Sequence, residues 1–376
     1  DNTSNPCRES SFAFIETVLD DVIAIHAAAG QPLKRYHIGA DETAGAWTES
    51  PICEAFFKDN KYGVTEREEL TGYFIERVTN IIADRGVIPG GWNDGLDETN
   101  PDNLPAQVQS NLWGVLPWGG TSAVHKHANR GWDAVLSTPD VLYFDFPYEV
   151  HPQEGGYYWA SRRVNTHKVF SFMPDNLPAH AEIWTSPQNQ GFTIDDTLKT
   201  DELGNVTHEI RQVDAPILGL QGQIWSETVP TRSELEYKLF PRIFALAERA
   251  WHAPNWELPY NLDGGIYGPD TNHIGAERLS ARDADWAHFA DHVSHKSMAE
   301  LDVANIIYRI PTPGAVIENG TLNVNLAFPD LAIEYRQQGG EWEIYAGPVS
   351  VDGGVDIRAR SRNGSRASRT VLVPFG

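Results

Sequence analysis

Apolar residues recur at helical spacing over residues 10–29, where Phe12, Ile15, Val18, Leu19, Val22 and Ile23 share one face. Gly30 stops this helix and Pro32 follows it. A short strand is expected from Arg35 to Gly39, running into Asp41-Glu42. Thr65 and Glu68 have the spacing of a capping box. They open a helix with Leu70, Phe74, Val78, Ile81 and Ile82 on one side, ended by Gly86. Val87–Trp92 reads as the next strand and closes on Asn93-Asp94.

The alternation continues downstream. Gln107–Trp113 is a strand, Thr121–Asn129 a helix, and Asp133–Ser137 and Val141–Asp145 are short apolar runs. Ile217–Trp225 is the last strand of the series. Ser233 opens a helix through Trp251 with Leu235, Leu239, Ile243 and Leu246 inward and Pro241 as a kink point. Residues 281–302 form a final helix carrying Trp286, Phe289 and Val293. From about Ile310 the pattern changes to short alternating runs: Leu322–Leu326, Ala332–Tyr335, Val355–Arg358 and Thr370–Val373. These predict a small β-sandwich.

Strands alternating with helices imply parallel βαβ units, in a doubly wound sheet or in a barrel. Polar and aromatic residues decide between them. Asp41-Glu42, Trp92-Asn93-Asp94, Trp113, Tyr143–Asp145 and Trp225–Glu227 all stand at the C-terminal end of a strand. That distribution is the habit of the (β/α)₈ TIM barrel. No GxGxxG or GxxxxGK[ST] fingerprint follows a strand, which weakens the doubly wound option. About five strand–helix units are present where a closed barrel has eight, so the first strands are expected on sequence outside this chain. The long polar and aromatic stretch 146–216, with Tyr157, Tyr158 and Trp159, is expected to be a substrate-binding loop at the barrel mouth.

Composition narrows the partners. A net charge of −23 argues against nucleic acid or an anionic membrane surface, because phosphate contacts need Lys and Arg. No apolar run approaches the roughly 20 residues of a membrane helix, and residues 1–10 lack a signal-peptide core. Cys7 and Cys53 are too few for a disulfide scaffold or a zinc site; one disulfide or two buried thiols both fit. Neither metal nor cofactor is called for. The 12 Trp are many, and several stand at strand ends, where flat rings suit the faces of sugars. Cleaving a glycosidic bond needs a proton on the leaving oxygen and stabilisation of a cationic C1. Neighbouring strand residues face opposite ways, so Asp41 and Glu42 do not simply flank one bond.

His37-Ile38-Gly39-Ala40-Asp41-Glu42 resembles the H-x-G-x-D-E signature of glycoside hydrolase family 20, the β-N-acetylhexosaminidases. Gly222–Glu227, Phe240-Pro241-Arg242 and Ala247–Trp251 resemble that family's last strand and helix, with details nearest the bacterial chitobiases. The resemblance implies exo-hydrolysis of terminal β-linked N-acetylglucosamine from chitobiose and related oligosaccharides. Glu42 is then the general acid and base, its pKa raised by burial and by Asp41. Asp41 orients the substrate's own 2-acetamido group, which attacks C1. Trp92, Trp113 and Trp225 match the aromatic walls and Tyr143 the hydroxyl on the acetamido oxygen. Asp145 and Glu227 match acids that bind sugar hydroxyls, and Trp159 a platform for a second sugar. His37 is read as a structural partner of the strand end.

The family's substrate-binding arginine on the first strand, and its His/Asp pair near the third, find no counterpart in residues 1–9. The chain is therefore expected to be the C-terminal portion, about strands 4 to 8, with residues 1–302 in the barrel and 303–376 in an immunoglobulin-like sandwich. Either the N-terminal half of the same enzyme or a homodimer would cover the open barrel edges. An inactive isolated fragment and a non-catalytic carbohydrate-binding module are the competing readings. The family implies a periplasmic, outer-membrane-associated or secreted location.

Overall fold

A computed structural model describes residues 3–375 except 44–46, 48, 216 and 338. Helix α1 (Glu9–Ala28) buries Phe12 and Leu19 against Val78 and Ile82 of α3 (Leu70–Ala83). Strand β1 (Arg35–His37) lies between them in sequence, as does the short helix α2 (Pro51–Phe56), capped by Ser50. Cys7 and Cys53 are joined in a disulfide across 46 residues, which settles the choice the sequence left open. The capping box of α3 sits one residue later than the expected Thr65/Glu68 pair. The Glu69 carboxylate accepts the N–H groups of Thr65 and Glu66, at 2.7 and 3.2 Å. The cause is a tight first turn at Arg67–Glu69, which makes Glu66 the cap.

Three further units follow the expected alternation. Strand β2 (Ile88–Trp92) runs into α4 (Asn93–Asp97), β3 (Gln109–Leu112) leads to α5 (Thr121–Asn129), and β4 (Asp133–Leu136) leads to α6 (Pro139–Leu142). The run Val141–Asp145, expected as a strand, begins inside α6. Pro139 occupies the first helical position, where its fixed φ and missing N–H suit a helix start. Only Tyr143 keeps strand character, bridging in parallel to Gln223.

The stretch 146–216 is not one irregular loop, although Trp159 within it does reach the strand-end aromatics. It contains α7 (Thr166–Phe170), β5 (Ile194–Asp196), β6 (Lys199–Thr200) and β7 (Val206–His208). Phe146, Tyr148, Val164, Val169, Phe170, Phe172 and Met173 are all buried. Most of its aromatics are core, and Tyr157, Tyr158 and Trp159 are exposed.

Strand β8 (Ile217–Leu220) completes one parallel sheet in the order β1-β2-β3-β4-β8. Registers such as His37↔Gly90, Trp92↔Asn111 and Leu136↔Leu220 align the carboxyl ends. β8 is shorter than the expected Ile217–Trp225, because Gln221–Trp225 leaves the ladder apart from the Tyr143–Gln223 bridge. Among the described residues β1 and β8 are open edges.

The helix expected over 233–251 is two: α8 (Arg232–Leu239) and α9 (Arg242–Trp251), separated at Phe240-Pro241. The break resets the buried face, so Leu235 is exposed rather than inward. Strand β9 (Gly265–Tyr267) pairs antiparallel with β5. Helix α10 (Gly275–His292) starts earlier than residue 281 and passes through a π turn at Val293–Ser297 into α11 (Met298–Val303).

The C-terminal strands are β10 (Gly314–Glu318), β11 (Thr321–Asn325), β12 (Ile333–Gln337), β13 (Glu343–Ile344), β14 (Val349–Ser350), β15 (Val355–Ala359) and β16 (Val371–Val373). They form two sheets, β10-β11-β14 and β13-β12-β15-β16. Leu322, Tyr335, Val351, Val355, Ile357 and Val373 fill the space between them. Arg309 and Arg369 both pair with Glu149, tying this unit to the parallel-sheet body. No helix among the described residues is long and apolar enough to cross a membrane.

Candidate active site

The chain leaves β1 through a backbone that ordinary side chains avoid. Gly39, Ala40 and Glu42 have φ values of 77°, 75° and 51°. Glycine adopts this region freely, whereas Ala and Glu are strained there by about 1–3 kcal/mol each. Such strain persists only where surrounding contacts impose it. The Gly39 N–H donates to His37 Nδ1 at 3.1 Å, and Trp92 N–H donates to the Gly39 carbonyl at 2.9 Å. The Glu42 N–H donates to Asp94 Oδ2 at 3.0 Å. His37 thus serves the strand end, with its ring against Trp92 at 5.2 Å.

Helix α4 presses on this turn. A Cβ placed on Gly95 would lie 1.7 Å from the Ala40 carbonyl oxygen. Gly95→Ala is therefore expected to destabilise by about 1–3 kcal/mol through overpacking. Thermal unfolding checks this, and an unchanged midpoint would show that the turn does not rest on α4.

The two carboxylates are not equivalent. Asp41 is half-buried and Glu42 exposed. Burial, followed by the charge of Asp94, holds the Asp41 carboxyl above its ordinary value. Asp41 lines a cavity of about 400 Å³ with His37, Gly39 and Thr43. Glu42 lines a neighbouring one of about 350 Å³ with Arg67, Glu68 and Asp94. The expected burial of Glu42 is not supplied by this chain, in which its side chain is exposed at the open β1 edge of the sheet.

From Trp92, which packs on His37, a connected aromatic wall extends away. Trp92 contacts Trp225 at 5.9 Å, and Trp225 contacts Tyr143 at 5.9 Å. Tyr143 contacts Trp159 at 5.8 Å, and Trp159 meets Trp113 edge-on at 6.3 Å. Burial pushes the Tyr143 phenol well above its ordinary value, and the charges of Asp145, Asp41 and Glu42 add to this. The phenol therefore remains a hydrogen-bond donor at neutral pH, within the field of both turn acids. Asp145 is buried beneath it and accepts the Trp225 N–H at 3.4 Å. Burial also raises the Asp145 carboxyl, against the pull of the backbone N–H groups, Lys238 and Arg242. Trp159 is 40% exposed, stacked on Trp118 at 6.4 Å and edge-on to Phe146 at 5.5 Å. Glu227 is exposed on the turn Ser226–Thr228 and makes no hydrogen bond or ion pair to these residues among those described.

Sequence reasoning passed over three residues. Asp94 joins the two halves of the site, because its other oxygen accepts the Trp113 indole N–H at 2.8 Å. Asn93 Oδ1 accepts the Trp113 backbone N–H at 2.9 Å. Trp118 extends the exposed aromatic face and is itself 59% exposed. The position of Asn93-Asp94 at the end of β2 was the available signal.

Residues 1–254 match the family described as "Glycosyl hydrolase family 20, catalytic domain", and residues 297–370 match "Chitobiase/beta-hexosaminidase C-terminal domain". A beta-hexosaminidase of Vibrio vulnificus is 42% identical over 99% of this chain and 43% of its own length. An N,N'-diacetylchitobiase of Vibrio harveyi is 36% identical over 98% of this chain and 43% of its own. Beta-hexosaminidase B of Pseudoalteromonas piscicida is 44% identical over 77% of this chain and 35% of its own. The chain thus spans less than half the length of these curated relatives. Among solved structures, a GH20 exo beta-N-acetylglucosaminidase from Vibrio harveyi in complex with N-acetylglucosamine superposes with a TM-score of 0.50. It shares 23% identity, and the match covers 81% of this chain and 36% of that one, a likeness of fold.

Proposed function

Because the chain belongs to glycosyl hydrolase family 20, we propose that it carries the catalytic carboxylates of an enzyme that removes terminal β-linked N-acetylglucosamine from chitobiose and related oligosaccharides. The observation that carries this reading is a half-buried Asp41, raised by burial, whose charge reaches the buried Tyr143 phenol beside Trp225. A carboxylate and a phenol so placed grip the two ends of an amide: Asp41 accepts its N–H and Tyr143 donates to its oxygen. The amide is the substrate's 2-acetamido group, with its methyl against Trp92 and Trp225. Its oxygen attacks C1 while Glu42 protonates the leaving oxygen. Asp41 stabilises the resulting oxazolinium cation, and Glu42 then takes a proton from the water that opens it, so configuration is retained. The sugar covering Glu42 supplies the desolvation that the protein alone does not. Asp145 and Glu227 bind hydroxyls, Trp113 walls the ring, and Trp159 offers a face to the next sugar.

On this reading the five strands are strands 4 to 8 of a (β/α)₈ barrel within residues 1–302. Residues 303–376 form the immunoglobulin-like domain. The Cys7–Cys53 disulfide supports an oxidising, periplasmic or secreted setting. The open edges β1 and β8 favour a partner that pairs with them: the N-terminal half of the enzyme or a second copy. Turnover of nitrophenyl N-acetyl-β-glucosaminide tests the reading. The acid limb of kcat/KM is expected above the ordinary carboxylate range, because Asp41 acts ionised and its pKa is raised. Silence of the chain alone, relieved by adding the missing strands, supports the part-barrel alternative. Silence under both conditions contradicts the assignment.

A further inference from the structure

Away from the strand ends, three elements distant in sequence converge on one buried carboxylate. His125 of α5, Asp196 at the end of β5 and His208 at the end of β7 bring their ligand atoms within 4.8 Å of one another. His125 Nε2 and His208 Nε2 both face Asp196 Oδ1, at 2.9 and 3.0 Å. The Tyr260 hydroxyl lies 2.7 Å from Asp196 Oδ2 and 3.5 Å from His125 Nε2. The side chains of His125, Asp196 and His208 are 3%, 0% and 12% exposed, which leaves an entry path at His208.

From this cluster we propose a binding site for a divalent transition-metal ion of the zinc class, held by His125 Nε2, His208 Nε2 and an Asp196 oxygen, with Tyr260 or water in the fourth position. Charge is the first argument. Asp196 is fully buried, and among the described residues no Lys or Arg reaches its carboxylate. Arg211 lies over the Tyr260 ring, and its own ion pair is with Asp175. A buried carboxylate whose near partners are two imidazoles and a phenol is a set of donors that a divalent cation can replace as counter-ion. Geometry is the second. Bonds of about 2.0–2.2 Å in a tetrahedral site put ligand atoms roughly 3.3 Å apart, a few tenths beyond the two His–Asp distances and within the 4.8 Å that spans all three atoms. Two imidazoles and one carboxylate suit zinc and its neighbours rather than calcium or magnesium, which select all-oxygen shells. Orientation is the third. His125 turns Nε2, not its buried and unpartnered Nδ1, toward Asp196, so the nitrogen with ligand geometry is the one in the cluster.

The ion would pin the β6–β7 hairpin and β5 to α5, closing segments 71 and 12 residues long. Its role is therefore structural, and its test does not depend on catalysis. The 376-residue chain, dialysed against EDTA, is titrated with zinc chloride by calorimetry and followed by thermal unfolding. One ion per chain and a rise in midpoint of about 5 °C or more are expected. His208→Ala, at the exposed rim, and Asp196→Asn should each lose both effects. Cobalt(II) should give the intense visible bands of four-coordination in the parent chain and not in His208→Ala. If the parent chain binds no zinc saturably, or if the variants bind it equally well, the cluster is a hydrogen-bonded network and the proposal falls. A variant that loses the same stability with and without zinc overturns it in the same way.

Discussion

Glu42→Gln is expected to reduce the turnover of N-acetylglucosaminides by about 10²–10⁴-fold, the range of a positioned general acid and base. The substitution keeps the shape and exposure of the side chain and leaves the Glu42 N–H on Asp94. It removes only the transferable proton. The loss should depend on the leaving group. Nitrophenolate departs with little protonation, whereas the sugar alkoxide of chitobiose does not. The variant should therefore be more impaired on chitobiose than on the nitrophenyl substrate, with KM for both little changed. Steady-state kinetics on the two substrates measures this. Equal losses on both would assign Glu42 a positioning role and sink its assignment as acid.

Arg242→Met is expected to have the largest effect on stability, about 3–5 kcal/mol by chemical denaturation. Arg242 is fully buried with no carboxylate partner. Its guanidinium donates to four backbone carbonyls: Phe144, Phe146 at 2.9 Å, Val164 at 3.0 Å and Lys238 at 2.8 Å. It also lies over the Tyr148 ring at 3.9 Å. Removing it leaves buried acceptors unpaired, the expensive kind of loss. Phe144 and Phe146 flank Asp145, so the same change should loosen the floor beneath Tyr143 and Trp225. Arg242→Lys should fail to restore stability, because one ammonium cannot replace a planar fork that serves four acceptors. A variant within about 1 kcal/mol of the parent, or full rescue by Lys, would show that those carbonyls find other partners.

The parallel sheet was legible because its strands are short apolar runs bounded by Gly and Pro, each ending on polar or aromatic residues. The positions that failed share a cause: their structure depends on partners far along the chain. The apolar run at Val141 reads as a strand until Pro139 starts a helix through it. The stretch 146–216 reads as a loop because its Pro and Asn content hides a core whose cation, Arg242, comes 96 residues after Phe146. Asp94 looks like one more strand-end acid, and only the fold brings it to the Glu42 amide 52 residues away. The positive φ values at Ala40 and Glu42, in residues other than glycine, are not encoded in composition. The His125–Asp196–His208 cluster has no motif spacing, so its members appear unrelated in sequence.

We propose that the substrate's acetamide, held by Asp41 and Tyr143, is the nucleophile. The direct test is the rate of hydrolysis of nitrophenyl N-acetylglucosaminide beside its mono-, di- and trifluoroacetyl analogues. Each fluorine makes the amide oxygen a poorer nucleophile while barely changing its size. The account expects kcat/KM to fall steeply with every fluorine added, and the slope to flatten in Asp41→Asn. A rate independent of fluorination would show that a protein group attacks C1 and would contradict the account.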